Sequence, residues 1–166
     1  MNIQQITECA EELLEMVTHY KSLKRRGELG ADLLLYGLLQ GRFGHMTRQH
    51  PVKLGRIDFR YGASAPVVIE LVHRGRRDPR AGLFASQNRS EIRKLTRVTN
   101  TTARTRILLL IDRSSDSIPR RNLKPSYDAT NAGRGRFTRH SIRVIYVSRT
   151  NSYNFIWCQR RLKTAR

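Results

Sequence analysis

Residues 54–74 read Leu54-Gly55-Arg56-Ile57-Asp58-Phe59-Arg60-Tyr61, then Gly62-Ala63-Ser64-Ala65, then Pro66-Val67-Val68-Ile69-Glu70-Leu71-Val72-His73-Arg74. This reads as two short strands, Val52 to Arg60 and Pro66 to His73, joined by a tight turn. A proline opens the second strand, where a missing N–H does least harm. Val67 to Val72 is apolar or β-branched except for one acid, the pattern of a strand buried on both faces. A lone buried carboxylate costs several kcal/mol unless something pairs with it. Glu70 therefore needs a partner, and so does Asp58 between Ile57 and Phe59. Two acids on adjacent strands suit one hard divalent cation, which prefers oxygen ligands. The plainer readings are ion pairs: Asp58 with Arg56 or Arg60, and Glu70 with a buried arginine.

The rest of the chain frames this pair. Residues 2–20 have the spacing of an amphipathic helix, with Ile3, Ile6, Ala10, Leu13, Leu14 and Val17 on one face. Residues 21–27 read as a basic helix end with Gly27 as its cap. A second helix is expected over about 28–40, placing Glu28 and Asp32 on one face. Gly41 to His50 reads as loop or poor strand. A third helix is expected over 83–99, with Ile92 and Leu95 inward, Gln87, Glu91 and Lys94 on another face, and Arg89, Arg93 and Arg97 as a basic stripe. Arg106 to Asp112 is the clearest buried strand. Residues 113–139 read as a long basic loop, in which Tyr127 and Phe137 are placed to stack on bases. Ser141 to Arg149 and Tyr153 to Arg160 form a terminal hairpin, followed by a basic tail.

Composition points to an anionic partner. The 166 residues carry 32 Lys and Arg against 13 acids, a formal charge of +19, with a pI near 11.3. Such an excess is a statement about partners, and nucleic acid leads. Residues 1–20 hold four of the acids and no Lys or Arg, so each remaining acid is informative. Hydrophobic content of 39% fits one folded domain spanning 1–166. No apolar run reaches the roughly 18 residues of a membrane span. The acidic start is unlike a secretory signal. Cys9 and Cys158 suggest neither a zinc site nor a disulfide framework, so an intracellular setting, cytoplasm or nucleoid, is expected.

The order helix, strand, strand with Asp58, strand with Glu70, helix, strand resembles the restriction-endonuclease-like PD-(D/E)XK nuclease superfamily over roughly Glu28 to Asp112. The resemblance implies an α/β domain with a mixed central sheet flanked by helices. It also implies magnesium-dependent (or manganese-dependent) cleavage of DNA, with Asp58, Glu70 and the helix acid Glu28 as metal ligands and Gln87 on the following helix. One departure stands out. Glu70-Leu71-Val72 has valine where the family pattern has lysine, so the cation must come from elsewhere, Lys94 or Arg56 being the candidates. Arg74, Arg76, Arg77, Arg80, Arg89, Arg93, Arg97, Arg134 and Arg136 are the expected nucleic-acid contacts, mostly to phosphates. The alternatives are a catalytically inactive nucleic-acid-binding module and an RNA-binding structural protein of a ribonucleoprotein particle. A homodimer is compatible with either activity.

Overall fold

The computed structural model describes residues 2–19, 27–52, 55–63, 66–75, 78–97, 105–129 and 141–158. It is a three-layer α/β structure. The elements run α1 (Ile3–His19), α2 (Gly27–Phe43), β1 (Met46–Val52), β2 (Gly55–Tyr61), β3 (Val67–Arg74), a 3-10 turn (Arg80–Leu83), α3 (Arg89–Arg97), β4 (Thr105–Asp112), α4 (Arg120–Asp128), β5 (Ser141–Ser148) and β6 (Ser152–Cys158). The six strands lie in one sheet in chain order, β1 to β6. β3, β4 and β5 are parallel; the β1–β2, β2–β3 and β5–β6 pairs are antiparallel.

β4 is the centre of this sheet because Ile107 to Ile111 has no polar side chain to place in water. Alternation sends Leu108 and Leu110 to one face and Ile107, Leu109 and Ile111 to the other. The first face packs on Ile92 and Leu95 of α3 and Leu123 and Tyr127 of α4. The second packs on Ile6, Leu13 and Val17 of α1 and Leu35 and Leu39 of α2. Both faces are therefore covered, as a parallel centre requires.

Several sequence expectations change. The third helix is not continuous over 83–99: a 3-10 turn comes first, and α3 begins only at Arg89. Gly27 opens α2 instead of capping the preceding helix, and α2 runs on to Phe43, where Gly44 at φ 65° takes over as the left-handed stop. Residues 46–52 form a strand, with Pro51 on the rim of the sheet where its missing donor is harmless. The stretch 113–139 is not a loop throughout. Residues 120–128 are helical because Leu123 and Tyr127, four apart, bury one face against the sheet. Tyr127 is completely buried. Its hydroxyl donates to the Leu83 carbonyl at 2.9 Å and its ring meets Phe155 edge-on, so it is a core residue with no base to stack on. Phe137, Arg76, Arg77, Arg134, Arg136 and the basic tail lie outside the described residues.

Candidate active site at the parting of β2 and β3

β2 and β3 pair over three positions only: Tyr61 with Val67, Arg60 with Val68 and Phe59 with Ile69. Beyond Phe59 the β1–β2 hairpin stays paired with itself but leaves β3. One more step of the same register sets Asp58 across from Glu70, so the two acids stand where the strands part. The distortion is visible in β2 itself. Ile57 packs in the cluster under α3, whereas Phe59, two residues on, packs in the opposite one. Strict alternation would put them on the same face. Across from Asp58, Gln49 is skipped in the β1–β2 register and has φ 54°, the left-handed region in which few non-glycine residues sit.

This break turns the Asp58 carboxylate into the gap. Its Oδ2 accepts the Leu71 backbone N–H at 2.8 Å and its Oδ1 accepts the Gln49 amide at 3.2 Å. The carboxylate thus replaces the strand that has moved away. Burial pushes the Asp58 pKa up, the Leu71 N–H and the Lys94 charge pull it down, and the nearby charge of Asp32 adds to the rise.

Glu70 is fully buried on the α3 side of β3. The Lys94 ammonium, from α3, donates to its Oε2 at 2.8 Å. Its Oε1 is buried with no hydrogen-bond partner. Burial, reinforced by the Asp58 charge, pushes the Glu70 pKa up to about 8 in spite of Lys94. For Lys94, burial works against the charge, but the hydrogen bond and charge of Glu70, with Asp58 and Glu91 behind it, outweigh that and raise its pKa. That rise holds while Glu70 is ionised; the buried carboxyl sets the titration of the pair, and its direction is upward. Glu91, one turn before Lys94, accepts from Ser90 Oγ at 2.8 Å and adds further negative charge.

The structure therefore brings Asp58, Glu70 and Lys94 together and leaves other expected residues out. Arg56 is exposed, and it is Lys94 that reaches Glu70. Val72 shares the Glu70 face and packs against the core under α3. Gln87 is exposed, in the turn ahead of α3. The Glu28 side chain lies outside the described residues, as do those of Arg80 and Arg97. The α2 acid that acts on Asp58 electrostatically is Asp32, one turn further on. It is buried, accepts from Arg48 Nε at 2.7 Å through Oδ2, and has an unpartnered Oδ1. Its i+4 spacing from Glu28 was the available signal. Gln49 had none.

Arg74 is a correction. Among the expected nucleic-acid contacts, it is buried and turned inward. Its guanidinium grips Asp112 with two bonds of 2.8 and 2.7 Å and also bonds Ser114 and the Asp116 carbonyl. The parallel register places Arg74 beside Asp112 at the ends of β3 and β4. Tyr146 donates to the same carboxylate at 2.6 Å and accepts the Ile118 N–H at 2.7 Å. This is a satisfied buried ion pair that ties the loop after β4 to the sheet. Arg89 and Arg93 remain exposed on α3, and α4 adds Arg120 and Arg121.

Charge divides between the layers. α1 carries Glu8, Glu11, Glu12 and Glu15 with no Lys or Arg, whereas α3 and α4 together hold Arg89, Arg93, Lys94, Arg97, Arg120, Arg121 and Lys124 against Glu91 and Asp128. The Glu70–Lys94 pair lies on the basic side.

Among the described residues no group of three or more His, Cys, Asp or Glu side chains is placed to hold a metal ion. None of their helices is long and apolar enough to cross a membrane. No protein-family model matches the chain, and no curated protein or solved structure matches it either.

Proposed function

We propose that the protein is a nucleic-acid phosphodiesterase, a metal-dependent endodeoxyribonuclease on a restriction-endonuclease-like fold, with its centre at Asp58, Glu70 and Lys94. One observation carries the reading: two carboxylates from adjacent strands stand at a gap in the sheet, and one of them has a buried oxygen with no partner. An orphaned buried acceptor is rare and asks for an explanation. A divalent cation supplies one, because it would satisfy Oε1 and offset the cost of burying two carboxylates, which is the main cause of both raised pKa values. Asp58 and Glu70 fit that role, since magnesium is commonly held by one or two carboxylates, water and substrate phosphate. When bound, such an ion lowers the pKa of water and stabilises charge on a phosphoryl oxygen.

The chain's own residues supply the rest. Lys94, delivered from α3 to Glu70, supplies a cation that Val72 cannot, and its ammonium can stabilise negative charge developing on a phosphate. The Leu71 N–H holds Asp58 in place, so the carboxylate is oriented before anything binds. Arg89 and Arg93 on α3, with Arg120 and Arg121 on α4, present cations to a nucleic-acid backbone on the face that carries Lys94. The element order and the mixed, helix-covered sheet support the fold assignment.

A second reading, a binding module without catalysis, is favoured by a specific feature: Glu70 Oε2 is already occupied by Lys94. Cleavage of labelled single- and double-stranded DNA with magnesium or manganese separates the two. The enzyme reading expects cutting that Asp58→Asn and Glu70→Gln abolish without loss of DNA binding. Binding without cutting in the wild type establishes the module instead.

A further inference from the structure

The two rims of the sheet are built differently. β1, at one rim, carries Arg48, Pro51 and the register break at Gln49, devices that stop a strand edge from pairing with another chain. β6, at the other, reads Ser152-Tyr153-Asn154-Phe155-Ile156-Trp157-Cys158, with no charge and no proline. It pairs with β5 over seven consecutive positions without a break. Among the described residues no strand covers its outer edge. Ile156 on this strand is 49% exposed, one of two large hydrophobic side chains in that state among those residues.

We propose that β6 is a dimerisation edge, and that its occupant is β6 of a second copy, paired antiparallel about a twofold axis. Charge selects this occupant. At a net +19, copies repel over most of their surface. β6 is a stretch where they can approach without opposing like charges. Beside its start lies the acidic α1: Ser152 Oγ donates to Glu11 at 2.7 Å. Glu11 and Glu15 line an open concavity of about 370 Å³ that Thr18, His19, Arg149 and Ser152 also border. In an antiparallel pair the Cys158 end of each copy lies beside the Ser152 end of the other. The sequence after Cys158 is Gln159-Arg160-Arg161-Leu162-Lys163. The twofold therefore sets the Cys158 end of β6 in one copy, the point from which this basic sequence continues, on the side of Glu11 and Glu15 of the other, twice. Main-chain bonds along the edge supply affinity, and the charges at the ends set direction. This inference is independent of the nuclease reading.

Sedimentation equilibrium of the full chain tests it. The expected mass is twice 19.3 kDa. Ile156→Lys should give a folded monomer with an unchanged circular dichroism spectrum. Glu11→Lys with Glu15→Lys should weaken dimerisation about tenfold or more, and adding Arg160→Glu with Arg161→Glu should restore it. A wild-type monomer at the highest soluble concentration overturns the proposal, as does a dimer that survives Ile156→Lys. A dimer indifferent to the charge reversals at Glu11 and Glu15 overturns the antiparallel arrangement.

Discussion

Replacing Glu70 by glutamine should make the metal-free protein more stable at alkaline pH. The folded carboxyl titrates near 8, against about 4.3 for an unperturbed glutamate. Between those values the unfolded chain is ionised while the folded chain keeps its proton, so the folded state binds more protons and stability falls as pH rises. The effect is absent below pH 4, grows through neutrality and is complete above pH 8. Each pKa unit is worth about 1.4 kcal/mol, which puts the ceiling near 5 kcal/mol above pH 8 and near 3–4 kcal/mol at pH 7. Glutamine is close in shape to the protonated acid and can still accept from Lys94, whose side chain is 23% exposed and can also reach water. The two proteins should therefore agree within about 1 kcal/mol at pH 5, and the variant should lead by about 2 kcal/mol or more at pH 9. Urea unfolding with EDTA present, at both pH values and with matched m-values, reads this directly. A variant weaker than wild type at both pH values by the roughly 3–5 kcal/mol of a broken buried pair would refute the reasoning. Glu70–Lys94 would then be a structural salt bridge.

Further outcomes follow from the same geometry. Burial, with Arg113 nearby, lowers the His73 pKa to about 4, so the folded imidazole stays neutral while the unfolded one charges below its usual 6.5; stability should fall from pH 6.5 toward 4, and His73→Gln should flatten that limb in pH-resolved melts. Arg74→Ala leaves Asp112 charged and buried and should cost about 3–5 kcal/mol in urea unfolding with nucleic-acid affinity unchanged at temperatures where the variant is folded. Arg120→Ala and Arg121→Ala should each weaken DNA binding and reduce the salt slope by about 1 in a filter-binding titration, while Arg74 substitution leaves the slope alone. If DNA is cleaved, Lys94→Met should slow cleavage roughly a hundredfold to a thousandfold at saturating DNA, and Val72→Lys on that background should return part of the rate.

What the sequence made legible was the pattern of burial. The apolar run of β4, the alternation of β5 and the three- and four-residue spacing of α1 follow from side chains that must leave water. Asp58 and Glu70 stood out because acids are scarce in so basic a chain, and Lys94 only as one of two cations that could replace the lysine missing at Val72. The failures share a cause: the deciding partner is distant in sequence. Arg74 looks like the start of a basic loop until the parallel register sets it beside Asp112, 38 residues on. Residues 120–128 look like loop because Pro119, Pro125 and the arginines hide an apolar face of only Leu123 and Tyr127. β1 has almost no apolar pattern because it lies on the rim. The turn at Gln49 that lets Asp58 reach the gap carries no composition signal, since it arises from two strands meeting and one leaving.

Manganese titration of the wild type at pH 7, by calorimetry in buffers of different ionisation enthalpy, tests the central claim most directly. If Asp58 and Glu70 hold the ion, one site should bind and release close to one proton, because Glu70 must ionise to become a ligand. Affinity should rise about tenfold per pH unit up to pH 8 and vanish in Glu70→Gln and Asp58→Asn. Manganese that binds without releasing a proton, or binds equally well to both variants, would contradict the account.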